Sequence, residues 1–472
     1  MPRLLIWNDA TEQMLGMNLP FEERFTSANS AWRHIWSARR GDVVVVPASI
    51  PDCVKTYIFD TLGMDQSAVE IIHPKSLDGA PVILSDRAIL EPSFVELLRS
   101  KINMPSSWSL EAYYESQGVA ILRRNLGLAR PLHQHFLEQR GSDLLNRKAI
   151  FRRLASGAGI AIPKGQTVIN AIELKKAVSE TLNDCDTAII KRDSAAGGDG
   201  NIAVTNLPKH SISGVRKVVS AKHISSSEDE VSGFYTDLWQ EFVSDDEGVL
   251  LVEEYKYGCV SVYAEFFIDR FSGEVHFLND GTLRMSSSEL QDENSLQWTG
   301  FELPADLPKL SSARFHSEAT RAADLCRTLG YHGRVNVDAI ISQSGEVFIN
   351  EINGRRGGCS HIYDLAVELL GSDYANHYSM RTRNDLYVDD FLEAVQFLHD
   401  NNLTYDNNRK TGVIFLVYDD LVGKVQYLCV GKNADQARRL EGALKPLSRC
   451  AKPYPITAET AGSTCHNEIE IR

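Results

Sequence analysis

No stretch of about 18 apolar residues, the length a helix needs to cross a hydrocarbon core, occurs anywhere in the chain. The apolar residues 4–7 that follow Met1-Pro2-Arg3 lead into no secretory cleavage site. Neither a membrane span nor export is expected. Cysteine is sparse: eight are scattered over 472 residues, with no C-x-x-C and no histidine spacing of zinc type. They read as reduced thiols of a cytoplasmic protein. Basic residues are the minority, 49 against 63 acidic, and the net charge of −14 argues against a broad nucleic-acid-binding surface. No G-x-G-x-x-G follows any apolar run, so a dinucleotide fold is not indicated. Internal repeats and low-complexity tracts are absent as well.

What is present is an ordinary globular composition, 43% hydrophobic and 24% charged. At about 100–200 residues per domain, the length implies three or four domains. The first part alternates helical patterns with short apolar runs: residues 4–7, Asp42-Val43-Val44-Val45-Val46-Pro47, and Pro81-Val82-Ile83-Leu84. Such runs, bounded by turn residues, predict buried strands of a parallel α/β sheet. A helix is predicted over residues 142–156, stopped by Gly157 to Pro163. A second α/β unit follows, with strands at residues 187–190 and 249–253 and a polar, inserted loop around residues 225–230. Alternation of Val260, Val262, Ala264, Phe266 and Ile268 opens a third unit. A last helix (390–400) and two strands (412–418, 424–430) close the chain.

The chemistry concentrates between Gly333 and Gly358. A helix over residues 311–329, with Ala319, Ala322, Ala323, Cys326 and Leu329 on one stripe and Gly330 behind it, delivers the chain into two strands. In the first, Arg334, Asn336 and Asp338 alternate with apolar residues and so share a face; in the second, Glu351 and Asn353 do the same. A two-residue turn at Ser344-Gly345 would set Asp338 opposite Glu351 and Asn336 opposite Asn353. Like charges directly opposed on a strand pair are destabilising, so a positive group should sit between them. Two carboxylates and an amide oxygen are hard ligands suited to Mg²⁺, which usually completes its shell with waters and substrate phosphates. The alternative is a solvated acidic hairpin, which would not ordinarily have an apolar back and two arginines immediately after it.

With Asn350-Glu351-Ile352-Asn353-Gly354-Arg355-Arg356-Gly357-Gly358 the chain resembles the ATP-grasp superfamily, whose metal-binding strand pair ends in E-x-N with an arginine nearby. The resemblance implies an α/β (α+β) fold that binds ATP and Mg²⁺ (or Mn²⁺). It makes Asp338, Glu351 and Asn353 the metal ligands, and Arg355 and Arg334 the groups that stabilise charge on the transferred phosphoryl. Ala188-Ile189-Ile190-Lys191 matches a strand ending in a phosphate-binding lysine, with Lys148 as a second. The run 194–201, containing Gly197, Gly198 and Gly200, matches the glycine-rich loop whose backbone N–H groups approach phosphate. Val252-Glu253-Glu254-Tyr255 resembles the hinge whose backbone reads the adenine edge. Relatives often place a ribose-binding glutamate just after it, where this chain has Cys259-Val260-Ser261.

The match covers residues 146–383. It implies a pre-ATP-grasp domain over 1–145, ATP-grasp subdomains over 146–257 and 258–385, and a C-terminal extension over 386–472, an arrangement similar to natural-product peptide ligases of pheganomycin type. Arg284, Arg356 and His361 are candidate substrate-binding groups, a guanidinium fork being suited to gripping a carboxylate. Arg284 reads equally as a surface residue and His361 as a helix cap. The implied partners are small carboxylates and amines (amino acids or peptides), with no nucleic acid, no membrane, and the homodimer common among similar ligases. The implied activity is carboxylate–amine ligation through an acyl-phosphate. Its competitors are an ATP-grasp enzyme with another acceptor and a non-catalytic nucleotide-binding regulator.

Overall fold

The computed structural model describes residues 2–11, 14, 21–75, 81–194, 200–207, 210–223, 227–243, 248–287 and 295–449. The first sheet is parallel, in the order β3-β2-β1-β4, from β1 (Arg3–Ile6), β2 (Val43–Val45), β3 (Glu70–Ile72) and β4 (Ser109–Ala112). Its continuous apolar runs are explained by burial on both faces. Leu4, Ile6, Val43 and Val45 pack against Leu98, Val119 and Leu122. Leu5, Trp7 and Val44 belong instead to a core shared with Phe415, Tyr427 and Val430 near the end of the described chain. Residues 81–84 are not the predicted strand. Edge strand β3 occupies the place beside β2, and the proline-led run reaches that region through Val82 N–H, which donates to the Pro47 carbonyl at 3.3 Å.

The second sheet runs β5-β10-β6-β7-β9, from β5 (Gly165–Val168), β6 (Thr187–Arg192), β7 (Asn201–Thr205), β9 (Lys217–Ser220) and β10 (Leu250–Glu254); the short β8 (Ile212–Ser213) leaves it to pair elsewhere. Helices Ala171–Asp184 and Glu228–Phe242 cover it through Leu174, Val178, Tyr235 and Leu238. Glu228, Asp229 and Glu230 are thus not loop. They form the first turn of a helix capped by Ser227, where carboxylates favour the positive end of the helix dipole. Ser225 and Ser226 lie outside the described residues.

The third sheet continues as β15-β14-β11-β12-β13-β16-β18-β17. Its strands are β11 (Val260–Ile268), β12 (Val275–Ser287), β13 (Ser295–Leu303), β14 (Gly333–Ile341), β15 (Val347–Asn353), β16 (Ser379–Tyr387), β17 (Gly412–Asp419) and β18 (Lys424–Gly431). Helix Lys309–Thr328 lays Phe315, Ala319, Ala322, Ala323 and Cys326, all fully buried, over the β11–β14–β15 end. Strand β16 crosses position 385/386, so residues 258–385 and the C-terminal stretch share one sheet.

The helix predicted over 142–156 is broken. Gly141–Leu144 forms one turn, and Lys148–Ala158 starts anew after Arg147 adopts an extended conformation. Asp193, just beyond β6, causes the restart: its carbonyl accepts from Lys148 N–H at 3.1 Å and its carboxylate from Ala149 N–H at 2.7 Å, filling orphan donors of the new helix. Lys148 is thereby fixed in a first turn, facing the hairpin.

Candidate active site

The hairpin β14–β15 brings Asp338 opposite Glu351 and Asn336 opposite Asn353, the pairing expected from the sequence. The route to it differs. Ser342 N–H bonds to the Glu346 carbonyl, leaving three residues, 343–345, in the loop, with Gly345 at φ +79°. A three-residue loop ending in a left-handed glycine is a standard hairpin connection, and it pairs Ile341 with Val347, one step away from the predicted register. A bulge between Asp338 and Ala339, opposite which Asn350 is the extra residue, shifts the ladder back. The two offsets cancel. Val335, Val337 and Ala339 bury the other face of the strand as its alternation requires.

The polar face is densely connected. Asp338 accepts from Asn336 Nδ2 at 3.2 Å and from Asn353 Nδ2 at 3.1 Å. Lys148 Nζ stands 2.9 Å from Glu351 Oε2. Arg355 Nη2 donates to Asn353 Oδ1 at 2.9 Å and Nη1 to the Tyr113 hydroxyl at 3.2 Å. Burial, then the facing Glu351 charge, pushes Asp338 up to about 8. Burial acts on Glu351 too, but Lys148, with Lys191 and Arg355 behind it, outweighs that and holds it below its ordinary value. The two carboxylates are thus shifted in opposite directions, as expected of opposed carboxylates sharing a site.

The donor set fits a hard divalent cation: two carboxylates meet in a cleft, and the side-chain amide of Asn353 lies beside them. Among the described residues no cluster of three His, Cys, Asp or Glu side chains is gathered. Coordination through Asn353 Oδ1 would require its amide to turn over, since that oxygen now faces Arg355 and the NH₂ faces the carboxylates.

Beside the hairpin lie the residues expected to handle the nucleotide. Lys191 Nζ is 2.5 Å from Glu253, which also takes Arg152 Nη1 at 2.7 Å. Glu253 is 3% exposed, and these contacts make its side chain a tie between β6, β10 and helix Lys148–Ala158. Glu254 is held by Lys256 at 2.8 Å and by Lys164 N–H at 3.0 Å. The hinge differs from expectation in one respect. The N–H groups of Glu254 and Tyr255 already donate to the Lys164 and Thr187 carbonyls at 2.9 Å, so they cannot also read an adenine edge. Tyr255 turns its hydroxyl to Ser213 N–H at 2.8 Å. Gly200 anchors the end of the glycine-rich run by accepting from Arg192 N–H at 2.9 Å; Gly197 and Gly198 lie outside the described residues.

The other predicted residues scatter. Arg334 is on the polar face but is clamped by Glu265 at 3.1 Å and by Asp364, away from the main cleft. Arg356 bonds Asp364 at 2.6 Å and lies over the Trp7 ring. Both line a second cavity, of about 360 Å³, on the far side of Arg355. Arg284 forms a fork with Glu441 at 2.5 and 3.2 Å on the opposite face of β12. His361 is buried inside helix Ser360–Leu370 against His34, and burial holds it well below its ordinary value. It neither caps the helix nor lines the cleft. These positions follow from partners on distant elements, which the spacing of the arginines does not reveal.

The main cleft holds about 1340 Å³ and is lined by the hairpin face, Lys148, Lys191 and the hinge at one end. Its other end is built by residues that sequence reasoning passed over: Asp9 and Arg33, paired at 3.0 Å, Tyr113, Trp298 and Phe301. A signal for two of them existed. Asp9 and Tyr113 follow β1 and β4 directly, and ligands of parallel sheets gather beyond the carboxyl ends of the strands.

Residues 31–128 match the family model described as the Pre ATP-grasp domain, and residues 393–444 the PGM1 C-terminal domain. The biotin carboxylase domain of Hydrogenobacter thermophilus 2-oxoglutarate carboxylase, solved with MgADP, superposes with a TM-score of 0.56 at 13% identity, covering 95% of this chain and 90% of its own. The fold is the ATP-grasp fold. Among curated proteins, the L-propargylglycine–L-glutamate ligase of Streptantibioticus cattleyicolor is 24% identical over 348 residues, 70% of this chain and 66% of that one. The butirosin acyl-carrier protein–L-glutamate ligase of Niallia circulans is 28% identical over 120 residues, 25% of this chain. The matches thus span 66% and 26% of these relatives' lengths. Within the ATP-grasp fold the cleft lies between the second and third sheets, with the first sheet closing its far end. Among the described residues no helix is long and apolar enough to cross a membrane.

Proposed function

We propose that this chain is an ATP- and Mg²⁺-dependent carboxylate–amine ligase acting on amino acids or small peptides of a natural-product pathway in the cytoplasm. The observation that carries the reading is the Asp338–Glu351 pair, facing across a hairpin at the cleft floor with Lys148, Lys191 and Arg355 around it. The two ligases among its relatives support the reaction class. In our reading residues 1–145 form the pre-ATP-grasp domain, 146–257 and 258–385 the two ATP-grasp subdomains, and 386–472 the C-terminal α/β extension.

In this reading Asp338, Glu351 and Asn353 hold Mg²⁺ (or Mn²⁺), which supplies charge neutralisation to the triphosphate. Lys148 and Lys191 take up phosphate charge. A carboxylate oxygen of the acid attacks the γ-phosphorus, the bond to the β-phosphate oxygen breaks, and ADP leaves. The amine nitrogen of the second substrate then attacks the acyl carbon, the carbon–oxygen bond to phosphate breaks, and the ammonium proton passes to solvent. Arg355, which is 8% exposed and held by the Tyr113 hydroxyl and the Arg356 carbonyl, is preorganised to meet negative charge on the transferred group. Positioning and charge neutralisation supply most of such catalysis.

Incubation with ATP, Mg²⁺ and pooled amino acids, read by ADP release and by mass spectrometry of the products, tests the reading. Stoichiometric ADP and a new amide are expected. Absence of ADP above background with every acid and amine offered would sink it.

A further inference from the structure

We propose that the acid accepted in this cleft carries an apolar side chain, aliphatic or aromatic, held against a wall formed by Leu283, Met285, Trp298 and Phe301. The proposal deepens the ligase reading and depends on it only for the role given to the bound molecule.

The wall is built by a strand irregularity. In β12–β13, Leu283 faces Phe301 and Arg284 faces Gly300, but Met285 faces Trp298, so Thr299 is an extra residue in β13. Regular alternation would put Trp298 and Phe301 on opposite faces of the sheet. A bulge re-aims side chains, and this one turns both toward the cleft beside Leu283 and Met285. The result is two directly opposed apolar pairs on one face. The Trp298 and Phe301 rings pack at 5.0 Å between centroids. The charged neighbour in the strand, Arg284, points to the other face, where Glu441 neutralises it.

The wall adjoins the reacting end of the cleft. A Cβ built on Gly358, three residues after Arg355, would lie 3.8 Å from Phe301 Cζ and 3.9 Å from Trp298 Cη2. Arg355 and these rings line the same cleft, so an acid with its carboxylate at Arg355 has room to lay its side chain against them. None of the four wall residues carries a charge, and burying an unpaired carboxylate against them would be unfavourable. An apolar side chain gains from the same surface.

The test separates binding from turnover. Calorimetry in the presence of Mg²⁺ and a non-hydrolysable ATP analogue should show leucine, methionine or phenylalanine binding at least tenfold tighter than glutamate. Trp298→Ala should weaken that binding about tenfold or more, Trp298→Phe should retain most of it, and near-ultraviolet circular dichroism should show both variants folded. ADP release with the same acids and a pooled amine should follow the same order, the variants raising KM more than they lower kcat. Glutamate binding as tightly as leucine, no binding of any amino acid, or folded variants with unchanged affinity would overturn the proposal. Selective binding of apolar amino acids without ADP formation would uphold the wall and overturn the ligase reading instead.

Discussion

At the scale of single residues, the proposed chemistry rests on Asp338 and Glu351, and the cost of holding them together shows in the upward shift that burial and the facing Glu351 charge impose on Asp338. Asp338→Asn removes a carboxylate that burial and its neighbour already penalise. Turnover should fall at least a hundredfold, while the melting temperature stays level or rises. Glu351→Gln should be equally inactive but less stable than Asp338→Asn, because it leaves Lys148 without its 2.9 Å partner. Parallel assays of ADP release and thermal unfolding check both, and full turnover in either variant at limiting Mg²⁺ would contradict the assignment. These two residues were legible because alternation fixes the face a strand residue occupies. Arg334 shows the limit of the same rule. Its face was read correctly, but its destination was set by Glu265 and Asp364, contributed by a neighbouring strand and a later helix.

At the scale of elements, the hairpin register came out as expected through two compensating departures, the longer loop and the extra Asn350. Sequence pattern measures parity, and parity survives an even number of slips. It does not survive one, which is why the wall around Trp298 escaped notice: the single extra residue in β13 reverses the alternation on which a strand reading depends. Helix Lys148–Ala158 was predicted to begin too early, since the cap that restarts it comes from Asp193, in another element. The seam between β13 and β16 is narrow, with only Glu302–Arg381 and Leu303–Met380 paired, and Gly300 lies against it. A Cβ at Gly300 would come within 2.0 Å of the Thr382 carbonyl oxygen. Gly300→Ala should therefore cost about 2–3 kcal/mol, at the upper end for overpacking. Denaturant titration would register it, and a loss below 0.5 kcal/mol, on the order of a neutral surface change, would show that the seam can open without consequence.

At the scale of the molecule, the first sheet and the last strands share a core, an association absent from any local pattern because its members lie some 400 positions apart. Trp36 Nε1 donates to the Leu416 carbonyl at 2.8 Å, and Phe415 N–H donates to the Tyr57 hydroxyl at 3.1 Å. His34 and His361 sit at the same junction. Burial, partly opposed by Asp9, lowers His34 to about 4, and burial aided by Arg33 and His34 lowers His361 further. Elsewhere, burial with Arg123 and His332 nearby takes His133 to about 3. Each is neutral in the folded chain at pH values where the unfolded chain takes up a proton, so their stability is present above about pH 6.5 and lost as pH falls toward 4. By pH 5 each costs about 2 kcal/mol. Asp338, raised to about 8, acts in the opposite sense over this range, so Asp338→Asn is the background in which to measure. Unfolding free energies at pH 7 and pH 5 should differ by several kcal/mol, and His133→Gln should remove about a third of the difference. A flat profile would mean that these rings are not buried as described.

The shared core also bears on how the chain is made. The face of the first sheet that carries Leu5, Trp7 and Val44 is covered partly by nearby Trp32, Trp36, Val54 and Phe59 and partly by residues from Cys359 onward, which follow about 350 positions later in the chain. At 5–20 residues per second that is a wait of roughly 20–70 s. During synthesis the part of this face that the late residues cover stays open for that time, and a chaperone that shields nascent chains has a defined surface here to hold.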